Sequence, residues 1–198
     1  SLQATQFLCT HQIIDNPQDG NYNNNKMMRK DLAKITYRAL LGINEPSTLA
    51  DFLPCLFGDL QTENASNSYF FKAAKVLSYL DYGDGIPPFN PSRLNFHPND
   101  TIVRGYVLKV LLEAWNIKPD ANLANPYADV VAGTEVYGYI LKAAQMGLIK
   151  RPDIDGPNFT NFRPYEAVTR VESFLMLYRL LQVTSKPDIT DDDFHIPF

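Results

Sequence analysis

The chain is poor in the residues that most often carry chemistry: 198 residues hold one Trp, three His and two Cys. The histidines, His11, His97 and His195, share no metal-ligand spacing. There is no Gly-x-Ser-x-Gly elbow, no phosphate-binding loop and no convincing Cys/His pair. A non-catalytic protein is therefore expected, with no cofactor and no metal. Asp15 to Gly20 and Asp153 to Gly156 have the look of calcium loops, but the twelfth position, where such a loop needs a bidentate Glu, is Lys26 in one and Pro164 in the other. Both read better as turns. Nothing in the sequence says that Cys9 and Cys55 meet, and the plainer reading is two small buried hydrophobes. Basic surplus is also missing: 18 Lys and Arg stand against 22 Asp and Glu, for a net charge of −4. Nucleic acid is an unexpected partner for such a chain. No apolar run is long enough to span a bilayer, so membrane insertion is not expected. No signal-like segment opens the chain, which leaves export open because such a segment is removed.

What is abundant is internal repetition. Phe96-His-Pro-Asn-Asp-Thr-Ile-Val-Arg104 and Phe162-Arg-Pro-Tyr-Glu-Ala-Val-Thr-Arg170 share Phe, Pro, an apolar residue and Arg at a constant offset of 66. Tyr22-Asn-Asn-Asn-Lys-Met-Met-Arg29 is a shorter third copy without the Pro. Each copy runs into apolar residues at helical spacing. These are Leu32, Ile35, Ala39 and Leu40; Val107, Leu108, Leu111, Leu112 and Trp115; and Val171, Phe174, Leu175, Tyr178 and Leu181. A second helix is expected before each loop. Tyr69-Phe-Phe-Lys-Ala-Ala74 matches Tyr139-Ile-Leu-Lys-Ala-Ala144 at an offset of 70, and upstream of them Phe57-Gly-Asp59 matches Tyr127-Ala-Asp129 at the same offset. In the first copy only Phe7-Leu-Cys-Thr-His-Gln-Ile-Ile14 remains of this helix, and its aromatic-x-Asp triplet is expected before Ser1. Asp19-Gly20, Asp84-Gly85 and Asp155-Gly156 mark turns between the two helices, and the second copy carries an insertion around residues 86–94, with Pro87-Pro88. The expected organisation is three repeats, 1–45, 46–118 and 119–183, followed by a tail or linker over 184–198. One repeat could not bury both of its helices, whereas three packed together could.

The order of aromatic-x-Asp, Ala-rich helix, Gly-hydrophobic, Asp-Gly, Phe-x-Pro, Thr-Arg-x-Glu and Leu-rich helix resembles the S-layer homology family. The third copy carries it best, in Tyr127-Ala-Asp129, Met146-Gly-Leu-Ile149, Asp155-Gly156, Phe162-Arg-Pro164 and Thr169-Arg-Val-Glu172, and the resemblance covers nearly all of residues 3–183. It implies an all-α fold: three helix–loop–helix repeats in a pseudo-threefold arrangement around a central helical bundle. It further implies an extracellular, cell-surface or envelope module that tethers a larger exported protein to a wall polysaccharide, often pyruvylated, or to peptidoglycan. Carried over position by position, the family's groove arginine falls on Arg29, Arg104 and Arg170. Asp59, Asp129 and Glu172 join them as candidate ligand-binding residues. Arg170 is the leading candidate, because its copy keeps both Thr169 and Glu172.

The residue types suit that chemistry. A pyruvate ketal presents a carboxylate, and a planar guanidinium matches it with two parallel donors. Thr169 and Glu172 also make a plain capping box, which needs no ligand. Arg is not explained that way, since a cation in the first turn opposes the helix dipole. A salt bridge between repeats is the competing explanation. The other two copies depart from the pattern: Met28 and Val103 replace the Thr, Asp31 and Tyr106 replace the Glu, and Asn64-Ala65 and Thr134-Glu135 stand where the family has a His-Trp pair. A structural or protein-interaction module that keeps the fold without the glycan is the alternative. What separates the two is whether the arginines face open grooves or internal carboxylates.

Overall fold

The computed structural model describes residues 2–15, 25–42, 53–54, 57–60, 69–82, 87–89, 95–151 and 156–194. The turns at 19–20 and 84–85, and also Tyr22, Cys55, Asn64, Ala65, Asp153 and Asp155, lie outside them. The described residues are all-α: α1 (Leu2–Thr10), α2 (Arg29–Leu41), α3 (Tyr69–Tyr79), α4 (Arg104–Ala114), α5 (Tyr137–Gln145) and α6 (Arg170–Val183), with short 3-10 turns and no named strand. No helix among them is long and apolar enough to cross a membrane. Cys9 is a half-buried free thiol.

The long helices begin where the repeated arginines stand. Arg29, Arg104 and Arg170 are each the first helical residue, behind extended Met28, Val103 and Thr169. Only Thr169 caps with its side chain, in a reciprocal box with Glu172. Termination is also local. After α5, Gly147 at φ +75° lets the Gly147 and Leu148 N–H groups turn back to the Ala144 and Ala143 carbonyls. Asn116 after α4 and Gln12 after α1 close the same motif with positive φ in side chains that tolerate it less well.

Packing runs between copies. α2 lies against α3, α4 against α5, and α6 returns to α1, where Tyr178 meets the Phe7 ring edge-on at 5.2 Å. α4 also touches α2 and α6 and is enclosed on nearly every side. Even Lys109 and Glu113 are buried, with Lys109 on Glu135 at 2.8 Å and Glu113 accepting from the Tyr139 hydroxyl. The first two expected stripes face the core throughout: Leu32, Ile35, Ala39, Leu40, Val107, Leu108, Leu111, Leu112 and Trp115 are all buried. The third is rotated. Phe174 and Leu177 are buried and Met176 and Leu180 complete the face, while Leu175, Tyr178 and Leu181 are only partly covered. α6 is flanked by α1 on one side and by a groove on another, so its apolar residues serve two neighbours.

The segments entering α2, α4 and α6 meet at one end of the bundle. The Met27 N–H donates to the Val168 carbonyl at 2.9 Å, Val168 to Ile102 at 3.1 Å, and Ile102 to Met27 at 3.0 Å, which closes a ring of three hydrogen bonds. Outside it runs a second set: Arg29 to the Asp100 carbonyl, Arg104 to that of Glu166, and Arg170 to that of Asn25. The segment expected as a tail or linker also packs. Phe194 bridges to Leu80, the Asp81 N–H donates to the Asp193 carbonyl at 2.8 Å, and Ile189 and Phe194 rest on the core.

Candidate functional site

Asp59 and Asp129 answer a backbone problem in their own repeats. His97 and Arg163, the middle residues of the two Phe-x-Pro loops, have φ of +54° and +62°. That conformation costs a non-glycine residue about 1–2 kcal/mol. Each of the two carboxylates grips the strained loop with both oxygens. Asp59 accepts from the N–H groups of Phe96 and His97 at 2.7 Å each. Asp129 accepts from Phe162 at 2.8 Å and Arg163 at 2.7 Å. The loop so held presents its carbonyls to the helix start of the preceding repeat. The Lys30 N–H donates to Pro98, the Gly105 N–H to Pro164 at 2.9 Å, and the Arg29 and Arg104 side chains reach the Phe96 and Phe162 carbonyls at 2.5 and 2.9 Å. The helix-start N–H groups of Arg29, Lys30, Arg104, Gly105 and Arg170 are thus engaged by neighbouring loops. The expected attraction of a bare helix start for an anion is correspondingly reduced.

The guanidiniums follow one cyclic rule. Two of them reach the third helical residue of the next copy, and the third lines a cavity with it. Arg104 meets Glu172 at 2.6 Å, Arg170 meets Asp31 at 3.2 Å, and Arg29 lies beside a cavity shared with Tyr106. Arg29 and Arg104 each sit 5.1 Å over the ring of the Phe-x-Pro phenylalanine, Phe96 and Phe162. Burial pushes the Glu172 carboxyl up, but the Thr169 N–H and the Arg104 charge outweigh it and hold the group below the usual range.

Three different cavities result. Beside Arg104 a groove of about 470 Å³ opens between the second and third copies. Its walls carry four cations, Arg104, Lys150, Arg163 and Arg179, against one carboxylate, Glu172, and the rings of Tyr127, Phe159 and Phe162. The Arg104 side chain is 14% exposed, and its two hydrogen bonds above engage two of a guanidinium's five N–H donors. Beside Arg170 the cavity is about 130 Å³. Its cations already have partners: Lys34 and Arg38 lie 2.6 and 2.9 Å from Asp15, and Arg170 lies on Asp31. Beside Arg29 the space is divided into pieces of about 30 and 230 Å³. Another concavity of about 470 Å³ lies at the C-terminal ends of α1, α2 and α6, lined by two cations, Arg38, which is bound to Asp15, and Lys186.

The candidate arginines are thus brought to related junctions but not to one site. Sequence reasoning missed Lys150, Arg163 and Arg179, which make the Arg104 groove basic. The available signal was comparative. At the offset of 66, Arg163 and Arg179 correspond to His97 and Glu113, while the first copy has Arg38 where the third has Arg179, nine residues after the repeated arginine. Among the described residues no group of three or more His, Cys, Asp or Glu is placed to hold a metal ion. No family model matches the chain, and no curated protein matches it.

Proposed function

We infer that this chain is a non-catalytic module that holds a larger exported protein at the bacterial envelope by gripping an anionic wall glycan. The reading keeps the resemblance to the S-layer homology family, with three repeats about an approximate threefold axis. The closed ring of Met27, Val168 and Ile102, the outer set of bonds and the return of α6 to α1 favour that arrangement. The observation that carries the ligand class is the Arg104 groove: cation-rich, lined by aromatic rings, and large enough for a sugar residue. Guanidinium groups suit a ketal carboxylate, and of the three rings Phe159 is the partly exposed one, Tyr127 and Phe162 being buried. In this reading Arg29 and Arg170 act as clamps between repeats.

The second reading, a structural module that no longer binds glycan, draws on the Arg104–Glu172 and Arg170–Asp31 pairs. Sedimentation of the protein with isolated wall polymer, before and after mild acid removes pyruvate, separates the two. Arg104→Ala should weaken polymer binding by about 2–5 kcal/mol, the cost of removing one partner from a desolvated charged contact. Wild-type protein that ignores every wall fraction, with an Arg104→Ala variant that only melts earlier, would establish the structural reading instead.

A further inference from the structure

We propose that the module is monovalent: of the three arginine junctions, only that of Arg104 admits an acidic sugar, and Phe89 in the inserted segment of the second copy is the plug that closes the equivalent space at Arg29. This rests on the glycan-binding reading above. The Arg29 and Arg104 junctions are built alike, each guanidinium 5.1 Å over its phenylalanine ring with its side chain on that residue's carbonyl. The difference is a ring added to the pair found in both, Phe57 with Phe96 and Tyr127 with Phe162. Phe89, 3% exposed, lies 5.3 Å from Phe96 and 5.9 Å from the Arg29 guanidinium. It narrows the space on its side of Arg29 to about 30 Å³, while Arg29 stays partly exposed toward the separate space of about 230 Å³. In the third copy the loop phenylalanine is Phe159, which is partly buried at the groove wall with the Lys150 ammonium 4.7 Å over its ring.

Charge makes the same distinction. The Arg104 groove has four cations against one carboxylate on its walls, with Arg163 also 3.3 Å from Glu166. The larger space beside Arg29 is lined by that arginine and by Asp100, whose carboxylate lies 3.9 Å from His97, and the Arg170 cavity sets three cations against Asp15 and Asp31, each within ion-pair distance of a cation. An anion entering the Arg170 cavity meets two carboxylates already paired there and a surplus of one cation, against a surplus of three on the walls of the Arg104 groove.

The test is isothermal titration of the full chain with a synthetic methyl hexoside carrying a 4,6-pyruvate ketal, alongside Arg29→Lys, Arg104→Lys, Arg170→Lys and Phe89→Ala. One sugar per chain is expected. Arg104→Lys should lose roughly tenfold or more in affinity, because a point charge does not reproduce the planar fork, while Arg29→Lys and Arg170→Lys stay within about twofold. Phe89→Ala, if folded by circular dichroism, should take up a second sugar that Arg29→Lys in the same chain removes. Two or three sugars bound by the wild type, or equal losses in all three lysine variants, would overturn monovalency while leaving glycan binding intact. No heat and no binding by wild type would instead refute the glycan reading, and monovalency with it.

Discussion

Two acidic side chains show how much a single residue does at this bundle's loops. Asp129 was legible as a recurrent position, but its role was not. Its partners, the N–H groups of Phe162 and Arg163, lie more than thirty residues away, and nothing in the letters His97 or Arg163 announces positive φ. Asp129→Ala should leave two loop donors without their charged acceptor and release a strained backbone. About 1.5–3 kcal/mol of destabilisation is expected in urea unfolding, the range for hydrogen bonds to a charged group. Glu172 shows the opposite balance: its capping role was legible from Thr169-Arg-Val-Glu172, while its choice of Arg104 as partner was not, although a salt bridge between repeats was one of the expectations. Its carboxyl is held below the ordinary value of 4.5 in the folded chain. The stabilisation is therefore complete above that value and lost as pH falls through the folded value. Melting temperature should drop on acidification across that window, and Glu172→Gln should flatten the part of the slope that Glu172 contributes. With Glu172 over a third exposed, added salt should shrink the effect.

At the level of helices, periodicity and recurrence located the starts of α2, α4 and α6, because arginine, apolar spacing and loop recur together. Periodicity alone did not orient α6. A helix touching a core, a neighbouring helix and an open groove carries apolar residues on more than one side, so Leu175 and Tyr178 entered the expected stripe although they only border it. Leu177 is the sharper probe of the true face. It is fully buried between α6 and the centre of the bundle, and Leu177→Ala should cost about 2–5 kcal/mol by chemical denaturation. Leu175→Ala, at the groove, should cost markedly less. Equal costs would mean that α6 is turned relative to the arrangement described. The groove cations were illegible at this scale for a related reason. Lys150 and Arg163 come from loops and Arg179 from the far end of α6, and only the packing of α6 beside α4 makes them neighbours of Arg104.

For the whole molecule, the decisive feature is that the chain's last long helix packs on its first. Repeats stacked in a line contact only their sequence neighbours, so an end repeat can unfold while the others persist. Here α6 lies on α1, and the hydrogen bonds of Met27, Ile102 and Val168 pass through all three copies in turn. Loosening any copy removes a partner from both others. Trp115, the chain's one tryptophan, follows α4 and is buried, so its fluorescence reports the second copy. Leu8 is fully buried in α1, in the first copy. Leu8→Ala should remove about 2–5 kcal/mol of stability. If the ring makes the three copies one cooperative unit, the urea midpoint followed by Trp115 fluorescence should move as far as the midpoint followed by far-ultraviolet circular dichroism, in a single transition. A variant whose helical signal declines in two steps, with Trp115 reporting only the later one, would show that the first copy unfolds independently and that the contact of α6 with α1 does not couple the ends.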